Sequence, residues 1–421
     1  MQVAGSVAPI EEALPKRAPG LLGALRFRDF RLLWMGLLIS NLGTWMQFTA
    51  TGYFVVKLSP TPQLGSFYLG VLGIARAIPV LLASPIAGVV ADRLPRRRVL
   101  FVTNSTISAL ALLLAILTSL HAINIWGLIT LSMLNAAAQS FDVPARQSWV
   151  PLLVDRDYIG NAIGLNSIAF NAPAVIGPAI AGVLIAYVGV AGSFYVNAAA
   201  TLAVVVALLF MKSPAPSSTE RESLLLSIRN GIAFLLSHAI LRYVIIFFMV
   251  SALLVRPYSL VLPAYALNYL QADAKGLGWA IAATGVGGFG GALVTALFGS
   301  SERRGTLWLF SAMLMGLSVL ALGFVRTLWI SFPVLALIGL ATLAFMGMSN
   351  ILIQTLSPDA VRGRAVSVYS MIALGFVPAG AFVIGGLGSI IGLGHAFVFA
   401  GIATALFVSW LAVWRPVIRT V

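Results

Sequence analysis

The chain has 421 residues, of which 60% are apolar and 9% charged, and its mean hydropathy is +1.00. Those proportions exclude a soluble domain or a soluble enzyme on one anchor, and at about 20 apolar residues per crossing they allow roughly a dozen membrane spans. The net charge of +14 is spread over the ends of the apolar runs, which argues against a nucleic-acid partner, and the absence of cysteine removes disulfides, thiol nucleophiles and thiolate metal sites.

Uncharged apolar runs of helix length recur along the chain, with none of the short alternating segments of an outer-membrane barrel. The expected class is an all-α polytopic membrane protein. Residues 1–28, with Glu11, Glu12, Lys16, Arg17 and several prolines, read as a cytoplasmic tail and not as a signal peptide. Twelve spans follow, at about 30–57, 64–91, 98–119, 123–144, 159–187, 191–211, 239–269, 277–299, 306–325, 328–354, 365–390 and 395–414. An even number puts both termini on one side of the bilayer. Taking that side as cytoplasmic places most of the lysines and arginines there and leaves only Lys57, Lys275 and Arg326 on the opposite side, as the positive-inside rule requires. The absence of a signal peptide, together with the resemblance described below, suits a bacterial inner membrane. His121, His238 and His395 stand singly, so no metal site or other cofactor is expected.

Residues 212–237 begin with the one long polar break between spans, with Pro214, Pro216 and Ser217-Ser218-Thr219, and they divide the chain into an N-terminal six-helix bundle over 29–211 and a C-terminal one over 238–414, with a tail at 415–421. The halves echo each other. Arg31 and Arg242 are 211 residues apart, Asp92-Arg93 and Glu302-Arg303 are 210 apart, and Gln147-x-x-x-Pro151 and Gln354-x-x-x-Pro358 are 207 apart. Two parallel six-helix repeats place a substrate near the midplane between them.

The segment after the second span reads Gly88-Val-Val-Ala-Asp92-Arg93-Leu-Pro-Arg96-Arg97-Arg98. It resembles the signature loop of the major facilitator superfamily, G-x-x-x-D-R-x-x-R-R, with every defining position filled. The resemblance implies two pseudo-symmetric bundles of the major facilitator fold and a gating latch of Gly88, Asp92, Arg93, Arg96 and Arg97 against the start of the eleventh span, at Arg362 and Arg364. Gly177-Pro178-Ala-Ile-Ala-Gly182 resembles the G-P-x-x-G-G element of the antiporter and exporter branches, which makes Gly177, Pro178 and Gly182 further gating candidates. Asp142-Val-Pro144-Ala145-Arg146-Gln147 and Ser357-Pro358-Asp359-Ala-Val-Arg362-Gly363-Arg364 look like segments of one branch, the transmembrane secretion effectors. That branch includes exporters of siderophores and macrolides. The arginine that drug antiporters of the superfamily often carry early in the fourth span is missing, since Leu131 to Gln139 holds no basic residue.

Polar groups inside the spans mark the candidate site. Asn41, Thr44 and Gln47 lie in the first span, Asn171 in the fifth, and Asn135, Gln139, Asp142 and Arg146 form a helical stripe in the fourth. Asp142 is the candidate for proton coupling, or else a simple ion pair with Arg146. Arg76 and Arg256 stand halfway along spans two and seven, where an arginine costs about 2.5–3.5 kcal/mol even on insertion scales. Each is either bonded to backbone carbonyls or is an anion site, because a guanidinium fork suits carboxylates, catecholates and phosphates. By the repeat offset Arg256 is level with Trp45 and Tyr258 with Gln47, and aromatics such as Trp45 and Tyr258 are candidates to stack a ring.

No phosphate-binding G-x-x-x-x-G-K-[ST] motif or catalytic constellation is present, so gradient-driven transport is expected and an enzyme is not. The leading expectation is a secondary exporter of a small anionic or amphipathic, siderophore-like molecule, working by alternating access with protons as the coupling ion. A multidrug and proton antiporter for hydrophobic cations is the alternative, and a non-transporting membrane receptor is a third. Expected partners are a small molecule, protons and the lipid bilayer, with no nucleic acid.

Overall fold

The computed structural model describes residues 20, 22–211, 224–301 and 303–415, and its regular elements are all helical. They are α1 (Arg28–Leu58), α2 (Pro62–Arg93), α3 (Arg96–Ser119), α4 (Ile125–Trp149), α5 (Ile159–Val188), α6 (Val190–Leu209), α7 (Leu224–Ser237), α8 (Leu241–Leu254), α9 (Tyr258–Asn268), α10 (Ala274–Phe298), α11 (Arg304–Phe324), α12 (Leu328–Leu356), α13 (Asp359–Ile391) and α14 (Leu393–Trp414). Helices satisfy their own backbone groups, which is why long apolar stretches adopt no other form in lipid. Ten of these segments among the described residues are long and apolar enough to cross a membrane, with α8 and α9 counting as one. The two expected spans that fall short are α1 and α4. Their hydropathy is lowered by Asn41, Thr44 and Gln47 in one and by Asn135, Gln139 and Asp142 in the other.

Matching end signals recur in the two halves. Thr61 accepts from the Leu64 amide at the start of α2, and Asp273 accepts from the Gly276 amide at the start of α10. Gly189 (φ 83°) and Gly392 (φ 86°) supply the left-handed residue that turns α5 into α6 and α13 into α14.

Two departures from the sequence reading appear. The seventh span, expected as one helix over 239–269, is broken between α8 and α9. Pro257 has no amide hydrogen to continue the ladder, and the amide of Arg256 reaches back five residues to the Ser251 carbonyl at 2.9 Å. The central segment over 212–237, expected as a loop, carries α7, which docks on α13 where a Cβ on Gly231 would stand 2.7 Å from the Arg364 carbonyl oxygen.

Helix α1 packs against α5 and α6, α3 against α6, and α2 and α3 against α4. Similarly, α10 and α11 pack against α12, α11 against α14 and α8 against α13. Between these sets the main contacts are α2 on α13 and α5 on α10. Small residues let the backbones approach. A Cβ on Gly70 would stand 2.8 Å from Phe382 Cα, and one on Gly385 would stand 3.3 Å from Gly70 Cα. In the second crossing a Cβ on Gly182 would stand 3.2 Å from Gly278 Cα. Both crossings lie toward the end of the molecule that holds Pro62, Val188, Ala274 and Ile391. Lys275 adds a bond there, donating from Nζ to Tyr187 Oη at 3.0 Å.

The closest packing joins α10 to α12, where Gly287 and Gly291 face the carbonyls of Ala336 and Leu340, and Gly339 faces that of Thr284. Gly287→Ala drives a methyl into a backbone carbonyl that has no side-chain freedom to yield. The expected loss is about 1–3 kcal/mol of stability, read as a lower thermal midpoint of the detergent-solubilised full chain.

Candidate functional site

Four helices, α1, α2, α4 and α6, leave a polar recess at mid-bundle. It is lined by Thr44, Gln47, Phe48 and Thr51 of α1, Arg76 of α2, Ser132, Asn135 and Gln139 of α4, and Asn197 of α6. The amides are held in place by one another. Asn197 Nδ2 donates to Gln47 Oε1 at 2.5 Å, and Gln139 Nε2 donates to Asn135 Oδ1 at 2.5 Å. Behind Asn197, Thr201 donates to its Oδ1 at 3.5 Å and Ser40 donates to Thr201 at 3.5 Å, which fixes the α1–α6 side of the wall. Two donor groups remain unspent: Asn135 Nδ2 is buried without a partner, and the Arg76 guanidinium has no hydrogen bond or ion pair among the described residues. Its one contact of note is the face of Phe48, 5.8 Å from ring centroid to Cζ. The recess therefore offers N–H donors around a fixed positive charge with no carboxylate in its lining.

Toward the other end of α4, Asp142 is buried and fully engaged. Its Oδ1 accepts from Asn104 Nδ2 at 2.6 Å and Thr103 Oγ1 at 3.3 Å, and its Oδ2 is 3.8 Å from Arg146 Nε. Asp142 and Arg146 are both shielded, with side chains 11% and 10% exposed, so the pair is a locally balanced charge between α3 and α4. It does not line the recess.

Arg256 lies at the α8–α9 break, outside the recess. Its Cζ is 5.3 Å from the Phe248 ring centroid, Phe248 packs 4.4 Å from Tyr369, and one terminal nitrogen is buried with no partner. Tyr258 is buried on the first turn of α9.

The remaining expected residues serve helix contacts. Asn41 Nδ2 donates to the Ala169 carbonyl at 2.9 Å, joining α1 to α5, while Trp45 stands edge-on to Phe48 and packs over Gly177. Asn171 is exposed and donates to its own helix at Ser167. Pro178 contributes the carbonyl against Gly278, beside Gly182, so this part of the gating element sits in the α5–α10 crossing. Arg96 donates to Ser148 Oγ at 3.0 Å, and Arg97 caps the end of α6 through the Leu208 and Leu209 carbonyls at 2.7 and 3.0 Å. Arg362 pairs with Asp359 at 2.7 Å and donates to the Gln354 carbonyl at the end of α12. These arginines tie neighbouring helices within one set. The side chains of Gly88, Asp92 and Arg93 lie outside the described residues.

Of the residues expected in the site, the structure gathers Arg76, Gln47, Asn135 and Gln139 at the recess and leaves Arg256 and Tyr258 outside its lining, while Asn197 and Ser132 were not expected there. A lone asparagine inside the apolar stretch Tyr195-Val-Asn197-Ala-Ala was the available signal for the first.

The chain belongs to the transmembrane secretion effector family of the major facilitator superfamily, whose family model matches residues 20–421. Its relatives include a multidrug efflux pump, Tap, of Mycolicibacterium fortuitum, 28% identical over 83% of this chain and 87% of that one. The staphyloferrin A transporter of Staphylococcus aureus is 26% identical over 86% and 90%, and the enterobactin exporter EntS of Shigella boydii is 26% identical over 90% and 87%. Among solved structures, a POT family transporter in complex with 5-aminolevulinic acid superposes with a TM-score of 0.74 at 14% identity, covering 95% of this chain and 98% of that one. An inward-facing bacterial homologue of Spinster gives 0.69 at 14% identity, covering 93% and 97%. The chain is thus a multi-pass member of a membrane transporter family, with the fold shared by those transporters.

Asn104→Leu removes the shortest hydrogen bond to a buried carboxylate and leaves Asp142 Oδ1 with only the longer one from Thr103. The expected cost is about 1–3 kcal/mol, visible as a lower melting midpoint than that of a surface control such as Thr106→Leu.

Proposed function

We propose that this protein is a secondary exporter that carries a small anionic or amphipathic molecule across a bacterial inner membrane by alternating access. The observation that carries the reading is the Arg76 guanidinium, unpaired among the described residues, in a recess of neutral donors. An arginine is costly at mid-bilayer, and a ligand that brings a carboxylate, catecholate or phosphate returns that cost as charge-assisted hydrogen bonds. Relatives named for siderophore transport, the enterobactin exporter and the staphyloferrin A transporter, support the substrate class.

In this reading α1 and α4 cross the bilayer as well, making twelve spans in two bundles over 29–211 and 238–414 with both termini cytoplasmic. Their polar faces turn inward and their apolar faces suffice toward lipid. The α2–α13 and α5–α10 crossings then lie at the outer end, so the structure is closed to the outside and its recess is reached from the cytoplasm. Rocking of the two bundles breaks these glycine crossings and opens the outer end.

A second reading, a pump for hydrophobic cations, is favoured by the relative named as a multidrug efflux pump. The fixed positive charge in the recess weighs against it, because a desolvated cation beside an unpaired guanidinium is repelled. The deciding measurement is substrate competition in inverted vesicles with catecholates, carboxylates and cationic dyes. Arg76→Gln is expected to weaken the apparent affinity for the anion by about 10- to 100-fold, with Arg76→Lys restoring part of it and membrane insertion unchanged. Dye transport that is indifferent to both substitutions gives the site to the second reading.

A further inference from the structure

We propose that the seam between α8 and α14, at the end of the molecule that also holds Arg96 and Leu356, binds the headgroup of an anionic glycerophospholipid through Arg242 and Arg415. The inference concerns the lipid around the carrier and is independent of the substrate assigned to the Arg76 recess.

The seam is built of rings. Phe247 stacks on Phe407 with centroids 5.5 Å apart, Phe407 meets Trp410 at 5.7 Å, and Trp410 stands edge-on to Tyr243 at 6.3 Å. At Tyr243 the row of rings meets two cations. Arg242 Cζ lies 5.0 Å and Arg415 Cζ 5.1 Å from the Tyr243 ring centroid. A ring face attracts each guanidinium, but two of them beside one ring repel each other. Among the described residues neither has an ion pair or a side-chain hydrogen bond, and Arg242 Nε is buried with no partner. Tyr243 Oη and Trp410 Nε1 make no hydrogen bond among those residues either. The amides that open α8 are already met, since His238 Nδ1 accepts from Ile240 and Leu241. What the seam offers is therefore side-chain donors and two positive charges, a demand that an anion with several oxygens answers.

The matching place in the N-terminal half is spent internally. Arg31, the counterpart of Arg242 by the repeat offset, donates to the Leu25 carbonyl at 3.4 Å, and the end of α6 is capped by Arg97. The C-terminal half leaves its cations for a ligand, and two features make that ligand a lipid. Phe399, Ile402, Leu406, Trp410 and Val413 are exposed at helical spacing along α14, an apolar strip that runs toward Arg415 and suits an acyl chain. Trp410 and Trp414 stand at its end, where indoles mark the headgroup level of a bilayer. A headgroup of net negative charge suits the two guanidinium groups, whereas the cationic amine of a zwitterionic one is repelled. On the orientation proposed above, the seam opens to the cytoplasmic leaflet.

The test is native mass spectrometry of the detergent-solubilised full chain titrated with dioleoylphosphatidylglycerol, with dioleoylphosphatidylcholine and glycerol 3-phosphate as separate arms. The first phosphatidylglycerol is expected to bind at least about tenfold more tightly than phosphatidylcholine, and Arg242→Gln/Arg415→Gln to weaken it about 10- to 100-fold. Arg98→Gln/Arg229→Gln removes the same charge from exposed positions at the same end and should change it less than about twofold. Arg415→Gln alone, at an exposed residue just past α14, tests the site without burdening the fold and should cost about tenfold. Equal weakening in the two double variants overturns the inference in favour of a diffuse basic surface, and equal binding of the two lipids overturns it as well. Glycerol 3-phosphate bound as tightly as phosphatidylglycerol, and lost with the same arginines, overturns the lipid assignment in favour of a site for soluble phosphates.

Discussion

An arginine held at mid-bilayer without a counter-charge is the constraint around which the N-terminal half is arranged. Lipid offers Arg76 nothing, so the helices beside it must supply polar surface, and they do so with uncharged groups that are themselves pinned. Asn197 is committed to Gln47 and Asn135 to Gln139. Each amide that spends its acceptor on a neighbour keeps its donors or its rigidity for the recess. The result is a site whose unmet demand is for acceptors, expressed at the guanidinium and at Asn135 Nδ2. On the function proposed, such a site discriminates by charge, because a cation meets repulsion there and an acceptor-rich anion meets several donors at once.

Glycine does the complementary work where the two halves meet. The crossings at Gly70 with Gly385 and at Gly182 with Gly278 bring backbone to backbone with no side chain between. Contacts of this kind are short-ranged and carry little interdigitation, so they close tightly and separate without unthreading large side chains. The α10–α12 contact is also glycine-lined, with Gly287 and Gly291 of α10 and Gly339 and Gly347 of α12 each against the facing helix.

Much of this was legible in the amino-acid order, because the bilayer enforces a simple code. Apolar runs, the basic residues at their ends, and the repeat offsets from Arg31, Asp92 and Gln147 are set by one-dimensional rules. The isolated polar residues of α1 and α4 were legible for the same reason, since nothing in lipid tolerates them unless they face inward. Less legible were features that depend on which faces meet. Trp45 and Asn41 have the composition of site residues, yet helix rotation puts Asn41 against Ala169 and Trp45 over Gly177. Asn197 stands out as a lone asparagine in an apolar helix, but its partner Gln47 shows only when α6 is laid against α1. Arg97 and Arg362 look like latch residues by spacing, while the carbonyls they meet belong to the ends of α6 and α12, which no local pattern announces.

The break in the seventh span joins these arguments. Helix α8 ends and α9 begins around Arg256 and Pro257, and a Cβ on Gly380 of α13 would stand 2.5 Å from Pro257 Cγ and 2.7 Å from the Ala252 carbonyl, so the break is covered by a helix of the same half. A broken helix in a membrane frees backbone groups that a neighbour must satisfy or shield. Here the Arg256 amide turns inward to Ser251, and the guanidinium is left with aromatic faces and one bare nitrogen. The two mid-span arginines therefore differ in kind. Arg76 opens onto a polar recess, whereas Arg256 lies against aromatic rings at a joint and adds its charge to the electrostatics of the C-terminal half from within.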